Sequence, residues 1–351
     1  MSDTPNKDNH SQDELWTFID EANEEQARME ARKAAAKAAS ETVPEDPSLS
    51  EKPESSPPPP PPGPKGGGFV RAGFYLSLVF VVIFTSMTVY DYYKEYRDEK
   101  ILDGLKGSSS EVVESIPAKP GEKVIFPQFA EAYARNSDMV GWIEIEDTVV
   151  DFPVMQGRDN SYYLTTNFDL QTSKYGTPFV DYRIDLSNQP GEQPDNLIIY
   201  GHNMGDGKMF YDFIRYSDPD YYKDHPIIQV SSLYDTRHYK VFSAFIANGE
   251  TKNGYIFPYH MFLSFTSPAQ YDGFIAELKD RSIINVDTDL SYGDKLLCIS
   301  TCTYEFDGAR YVVFARELRE GESMSSDPVE RNPDPLYPLA FTRLYGGRSD
   351  S

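Results

Sequence analysis

Nineteen consecutive residues without a charge, at 72–90, constrain this chain more than any other stretch. As a helix rising about 1.5 Å per residue they span roughly 28 Å, close to the ~30 Å hydrocarbon core of a bilayer. Tyr75 lies near one end and Tyr90, Tyr92 and Tyr93 at the other, where interfacial aromatics belong. The run starts too far from residue 1 for a cleaved signal peptide, and no small-residue cleavage pattern closes it. A buried core helix is the competing reading, but the flanks are a polar tail and a charged segment. The expectation is therefore a transmembrane helix at 72–90. Its direction is not set by charge: Lys52, Lys65 and Arg71 precede it, while Lys94, Arg97, Lys100 and Lys106 follow.

What precedes the span does not read as globular. Residues 1–68 hold 14 Asp/Glu against 7 Lys/Arg, within a chain of net charge −23. A chain this acidic, with no basic patch, is a poor match for nucleic acid, whose affinity is dominated by phosphate neutralisation. Residues 13–39 read as a helix, acidic at its start and basic at its end, with mostly alanine to bury after Ile19. Residues 40–68 read as a spacer, with a proline run at 57–62 and a glycine triplet at 66–68. A proline-binding partner is the alternative use of that run. After the span, 91–106 is expected as a charged juxtamembrane helix stopped by Gly107, and 107–125 as a linker.

A different period begins beyond residue 125. A short helix is expected from Pro127 to residue 136, with proline in its first turn. Eight short runs rich in β-branched and aromatic residues then follow, at 142–145, 149–155, 177–182, 196–202, 226–230, 238–247, 295–302 and 311–317. One helical stretch, 268–280, separates the sixth from the seventh. Eight strands with few helices predict a mostly β fold, a closed barrel or a sandwich, since closure removes exposed edges. Residues after Glu317 read as loop, with an apolar patch at 330–347 whose role the sequence does not give.

The two cysteines, Cys298 and Cys302, supply no disulfide framework, and the five histidines show no metal-ligand spacing with them. No metal and no cofactor are expected. Cys302 closes a strand-like run, a loop centred on Asp307–Gly308 follows, and Arg310 opens the next run. If 303–309 form the whole loop, Cys302 faces Arg310, at the ~4.5–5.5 Å Cβ spacing of opposed residues. A two-residue turn at Asp307–Gly308 would instead pair Arg310 with Glu305. Sequence leaves both registers open. A fixed cation beside a thiol lowers its pKa and also stabilises an acyl-transfer oxyanion. His202 stands at the exit of the buried run 197–200, on a glycine-rich loop, where a rigid strand can aim a general acid and base. His10, His225, His238 and His260 have no such setting and read as structural or solvated.

Taken together, these pieces resemble the class B sortases. The family's cysteine motif, Thr-Leu-x-Thr-Cys, is matched by Cys298-Ile299-Ser300-Thr301-Cys302, which keeps the final Thr-Cys and departs at the first two positions. The downstream arginine and β-run match Arg310-Tyr311-Val312-Val313-Phe314, and the histidine motif matches Tyr200-Gly201-His202-Asn203-Met204. Further ordered matches are Asn136-x-Asp138-x-x-Gly141-Trp142-Ile143, Phe152-Pro153-Val154, Asp159-Asn160-x-x-Tyr163-Leu164 and Gly176-x-x-Phe179-x-Asp181.

The resemblance implies a sortase-like closed barrel of about eight strands, with N-terminal and inserted helices, as the catalytic domain at 126–318. A C-terminal extension would occupy 319–351, and a cytoplasmic tail 1–71. It also implies a cysteine transpeptidase with Cys302, His202 and Arg310 as its catalytic group, and Asn160, Tyr200, Ser300 and Thr301 along the substrate groove. Its partners would be secreted proteins bearing a C-terminal sorting signal and an amino group of a cell-wall peptide or peptidoglycan precursor. The N-terminus would be cytoplasmic and the catalytic domain extracytoplasmic. Three alternatives compete with it. Conventional cysteine proteases lack support because their local signatures are missing. A pilus-polymerising sortase is disfavoured by the lack of a recognisable lid, and a non-catalytic membrane-tethered scaffold would be indifferent to thiol alkylation.

Overall fold

The computed structural model describes residues 67–108, 124–184 and 194–350. The helix expected at 13–39, the spacer through residue 66 and the linker at 109–123 lie outside the described residues. Two units separate near residue 97.

A helix of 42 residues, Gly67–Ser108, runs through the unit that ends at Arg97 and on past that boundary. The span and the juxtamembrane helix expected separately are one continuous helix, because no glycine or proline interrupts the sequence from Phe74 to Asp103. Its apolar side chains are exposed along the whole span: Phe80 and Phe84 are 71% and 74% accessible, which no soluble core helix tolerates. The polar groups within it are satisfied locally, as a lipid environment demands. Thr85, Ser86 and Thr88 donate their hydroxyls to the carbonyls of Val81, Val82 and Phe84 at 2.7, 2.7 and 2.9 Å. Among the described residues this is the one helix long and apolar enough to cross a membrane.

In the second unit the eight expected runs all become strands, and they close a barrel. The strands are β1 (Met139–Glu144), β2 (Asp151–Met155), β3 (Phe179–Val180), β4 (Asn196–Tyr200) and, after a small hairpin of β5 (Asn203–Met204) with β6 (Lys208–Met209), β7 (Ile227–Ser232) and β8 (Thr236–Asn248). A short β9 (Ile284–Val286) precedes β10 (Leu296–Cys302) and β11 (Ala309–Glu317). The barrel order is β1-β2-β3-β4-β10-β11-β8-β7, with β7 returning to β1. Most neighbours are antiparallel, but β2 and β3 run parallel, and so do β4 and β10, Leu297 beside Leu197 and Ser300 beside Tyr200.

The middle strands read as unbroken apolar runs because both of their faces are covered. Leu296 through Thr301 are all buried, and so are Tyr239 through Asn248. The helix Pro268–Arg281 covers part of the outside, started by proline in its first turn and by the Ser267 side chain accepting from Gln270 N. Phe274 stacks on Phe262 at 4.5 Å and meets Phe314 edge-on at 5.6 Å, fixing that helix to β11. The short helix expected from Pro127 ends at Arg135, capped by Asn136.

The stretch after Glu317, expected as loop, is structured and attached. β12 (Val329–Arg331) pairs with β9, and β13 (Leu336–Tyr337) pairs with β14 (Arg348–Ser349) around the helix Leu339–Tyr345. Two buried cations belong to this attachment. The Arg316 guanidinium, 1% exposed, is held by the Glu322 carboxylate, and the Lys240 ammonium, 2% exposed, lies 2.9 Å from Asp327. Strands of two or three residues leave no periodicity for a sequence to display, so their pairing was not readable.

Candidate active site

The site forms where parallel neighbours β4 and β10 end at the same edge of the barrel. Three hydrogen bonds stitch the turn after β4 to the end of β10. Gly201 N donates to Ser300 O at 3.4 Å, the Thr301 hydroxyl to Gly201 O at 2.7 Å, and Asn203 Nδ2 to Cys302 O at 3.1 Å. His202, between the stitched residues, is thereby held against Cys302. The close approach needs glycine at 201, since a Cβ there would sit 2.6 Å from the Phe210 ring.

The hairpin register that sequence left open is resolved. Cys302 is opposed to Arg310, and the β10–β11 loop runs from residue 303 to 308. Glu305, the partner in the tighter alternative, takes its hydrogen bond from the Thr303 hydroxyl instead. Gly308 adopts φ +81° to close the loop, and a Cβ on it would collide with Glu250 Cγ at 2.7 Å. Gly249 admits the close approach of the same loop, since a Cβ there would sit 2.8 Å from the Gly308 carbonyl oxygen. The guanidinium is anchored through Nη1 donating to Ala309 O at 3.0 Å.

His202 Nε2 lies 2.7 Å from the Leu164 carbonyl. A carbonyl only accepts, so Nε2 carries a proton and Nδ1 is left for the thiol. The hydrogen bond to His202 pulls the Cys302 thiol down, against burial, and the Arg310 charge pulls it further. The same bond pushes the imidazole up, against burial, and the Leu164 carbonyl adds to the rise. The two shifts are complementary, and favour a thiolate beside an imidazolium.

Four residues earlier, Cys298 is fully buried, and burial drives its thiol well above the ordinary range. Ser300 and Thr301 are also inside: the Ser300 hydroxyl lies 2.8 Å from Tyr259 OH, and both side chains are almost inaccessible. Asn160 and Tyr200 are partly exposed and meet at Asp181 Oδ2, at 2.9 and 3.0 Å. His260 is half-buried, and desolvation, with the Arg183 charge beside it, pushes it down to about 4, which fits the structural reading given to it. Among the described residues no group of three His, Cys, Asp or Glu side chains converges to hold a metal.

Sequence reading assigned no role to Leu164, Asn203, Asp181 or Tyr259. The first three lay inside quoted matches, so a signal existed for them without a function. Leu164 acts through a backbone carbonyl, which no residue type announces.

Comparison with known proteins agrees with this geometry. The sequence profile of the sortase domain matches residues 143–318. Sortase B of Staphylococcus aureus is 30% identical over 246 residues, covering 70% of this chain and 94% of that protein. The chain belongs to the sortase family, in class B. Sortase B of Listeria monocytogenes is 33% identical over 172 residues, covering 49% of this chain and 65% of that one. Among solved structures, a Staphylococcus aureus sortase B–substrate complex superimposes with a TM-score of 0.55 at 28% identity, over 65% of this chain and all (100%) of the other. A sortase B from Bacillus anthracis gives 0.54 at 27%, over 65% and 100%. This sortase is therefore a membrane-tethered cysteine transpeptidase, which acts on secreted proteins with a sorting signal and on a cell-wall amine.

Proposed function

We propose that Cys302, His202 and Arg310 carry the transpeptidation. The Cys302 thiolate attacks the carbonyl carbon of a threonine in the sorting motif, and Arg310 faces the oxygen as it gains charge. The peptide C–N bond then breaks, and the leaving amine takes the proton of the His202 imidazolium. In the second half an acceptor amine attacks the thioester, His202 receives the amine's proton, and the C–S bond breaks to return the thiolate. The single observation behind this reading is the Cys302–Arg310 pairing across β10 and β11, at the edge where β4 delivers His202.

Asn160 and Tyr200, both partly exposed and joined at Asp181, are proposed to touch the sorting peptide. Ser300 and Thr301 are proposed to serve the groove from behind, through their bonds to Tyr259 and Gly201. The domain plan follows from the same reading: a tail at 1–71 in the cytoplasm, a crossing at 72–90, a juxtamembrane helix and linker at 91–125, a catalytic domain at 126–318 outside, and an extension at 319–351. The family resemblance supports this orientation; the charges flanking the helix do not decide it.

The test is to incubate the full chain, in membrane vesicles, with a panel of threonine-containing sorting peptides and a panel of amines. A covalent peptide–Cys302 intermediate that passes to an amine is the expected result. Release to water alone, unaffected by added amine, would make the chain a protease instead. Protease digestion of sealed right-side-out vesicles checks orientation, by removing 126–351 while sparing the tail.

A further inference from the structure

The Asp181 carboxylate is fully buried, yet it lies in no catalytic contact. It accepts five hydrogen bonds. Arg183 N and Nε reach Oδ1 at 3.0 and 2.8 Å, while Asn160 Nδ2, Tyr200 OH and Arg183 Nη2 reach Oδ2 at 2.9, 3.0 and 2.8 Å. Arg183 continues across to the segment between β8 and the helix Pro268–Arg281, donating Nη2 to His260 O at 2.7 Å and approaching Met261 Sδ at 3.3 Å. The next residue back in that segment, Tyr259, holds Ser300. One ion pair, its carboxylate buried and its guanidinium partly exposed, thus joins the Asn160 loop, the end of β4 and the segment at 259–261.

These bonds also fix which hydrogen-bonding groups remain. A carboxylate only accepts, so the Tyr200 hydroxyl gives its proton to Asp181 and keeps only lone pairs for a ligand. Asn160 spends its carbonyl on Tyr182 N at 2.9 Å and one amide hydrogen on Asp181, leaving one N–H. Building on the assignment of Asn160 and Tyr200 to the groove, we infer that Asp181 is a positioning residue for substrate selection, with Arg183 as its brace. It presets one acceptor at Tyr200 and one donor at Asn160, the complement of an amide group in the bound peptide. Burial opposes a charged Asp181, but the Arg183 hydrogen bonds and charge outweigh it and hold the carboxyl below its usual range. The polarity of the two groups is therefore constant across physiological pH.

The experiment measures kcat and KM with the best peptide of the panel, and the pH profile of Cys302 alkylation by iodoacetamide. Asp181→Asn is expected to raise KM about tenfold or more, the equivalent of one well-formed hydrogen bond to a charged or oriented group. Its kcat should stay within about threefold, with the alkylation midpoint unmoved. Combining it with Tyr200→Phe should cost little beyond the larger single effect, because the two act through one contact. An unchanged KM, or a loss shared between kcat and the alkylation midpoint, overturns the inference. If Asp181→Asn does not fold, Arg183→Lys decides: it keeps the charge, removes the two-point contact, and should raise KM while sparing kcat. Should Asn160→Ala and Tyr200→Phe both leave KM alone, the groove assignment itself falls and takes this inference with it. Should those two raise KM while Asp181→Asn does not, the groove stands and only the role of Asp181 is lost.

Discussion

β10 carries two cysteines in two different worlds. At its middle Cys298 is sealed among Ile198, Phe314 and their neighbours, and burial, with the Asp181 charge adding to it, makes it a poor acid. At its end Cys302 faces an imidazole and a guanidinium, which outweigh the same penalty. The residue type is identical, so reactivity comes from position on the strand. The strand also keeps the thiols apart: at about 3.3 Å per residue an i,i+4 pair is ~13 Å distant, whereas a disulfide needs Cα atoms within about 7 Å.

The comparison breaks most visibly if the thiols are exchanged in importance. Cys302→Ala is expected to abolish covalent capture of a sorting peptide, read by intact mass of the enzyme after mixing. Arg310→Lys comes next, with turnover lowered by a factor on the order of a hundred, as for loss of one oxyanion donor. Lysine keeps the charge but loses the planar fork, so Cys302 should still alkylate in a folded protein. Single-turnover acylation rates near wild type would remove Arg310 from the catalytic group.

A pH titration sharpens the contrast further. The largest cause lowering the Cys302 thiol is its bond to His202, so His202→Ala should move the alkylation midpoint to higher pH. Alkylation of this variant then lags at neutral pH and catches up with wild type in alkali, where the thiol ionises unaided. A midpoint that stays put would mean that Arg310 or the backbone activates the thiol instead. The smallest effect is expected at Cys298. Cys298→Ala or Cys298→Thr should retain most activity, and thermal melting should register a cost of about 1–3 kcal/mol, from a small cavity or a buried unpartnered hydroxyl. Equal activity losses at 298 and 302 would dissolve the distinction between them.

Legibility followed the same divide. The eight barrel strands could be read because buried-on-both-faces strands are β-branched, aromatic and bounded by turn residues. Cys302 and His202 stood out because reactive side chains follow such strands. Whether Arg310 faced Cys302 or Glu305 could not be read, since one loop sequence admits two closures and only the β10–β11 ladder selects between them. Asp181 was quoted in a motif but not understood, because its partners Asn160 and Tyr200 lie about twenty residues away on either side. The attachment of 319–350 was missed altogether. It relies on Glu322 and Asp327 neutralising Arg316 and Lys240, a pairing that exists only once the barrel has buried the two cations.

The parallel pairing of β4 with β10 has a consequence for the order in which the molecule matures. Cys302 and the turn bearing His202 are joined by bonds between residues about a hundred positions apart, such as Thr301 to Gly201. Contacts this distant in sequence are made late, after the chain between them has been gathered and its entropy lost. Until then Cys302 has its neighbour Arg310, at best, and no imidazole. A newly made or half-unfolded chain therefore displays an ordinary thiol, slow toward electrophiles and stray peptides alike. Activation of the thiol by His202 thus reports that the barrel has closed.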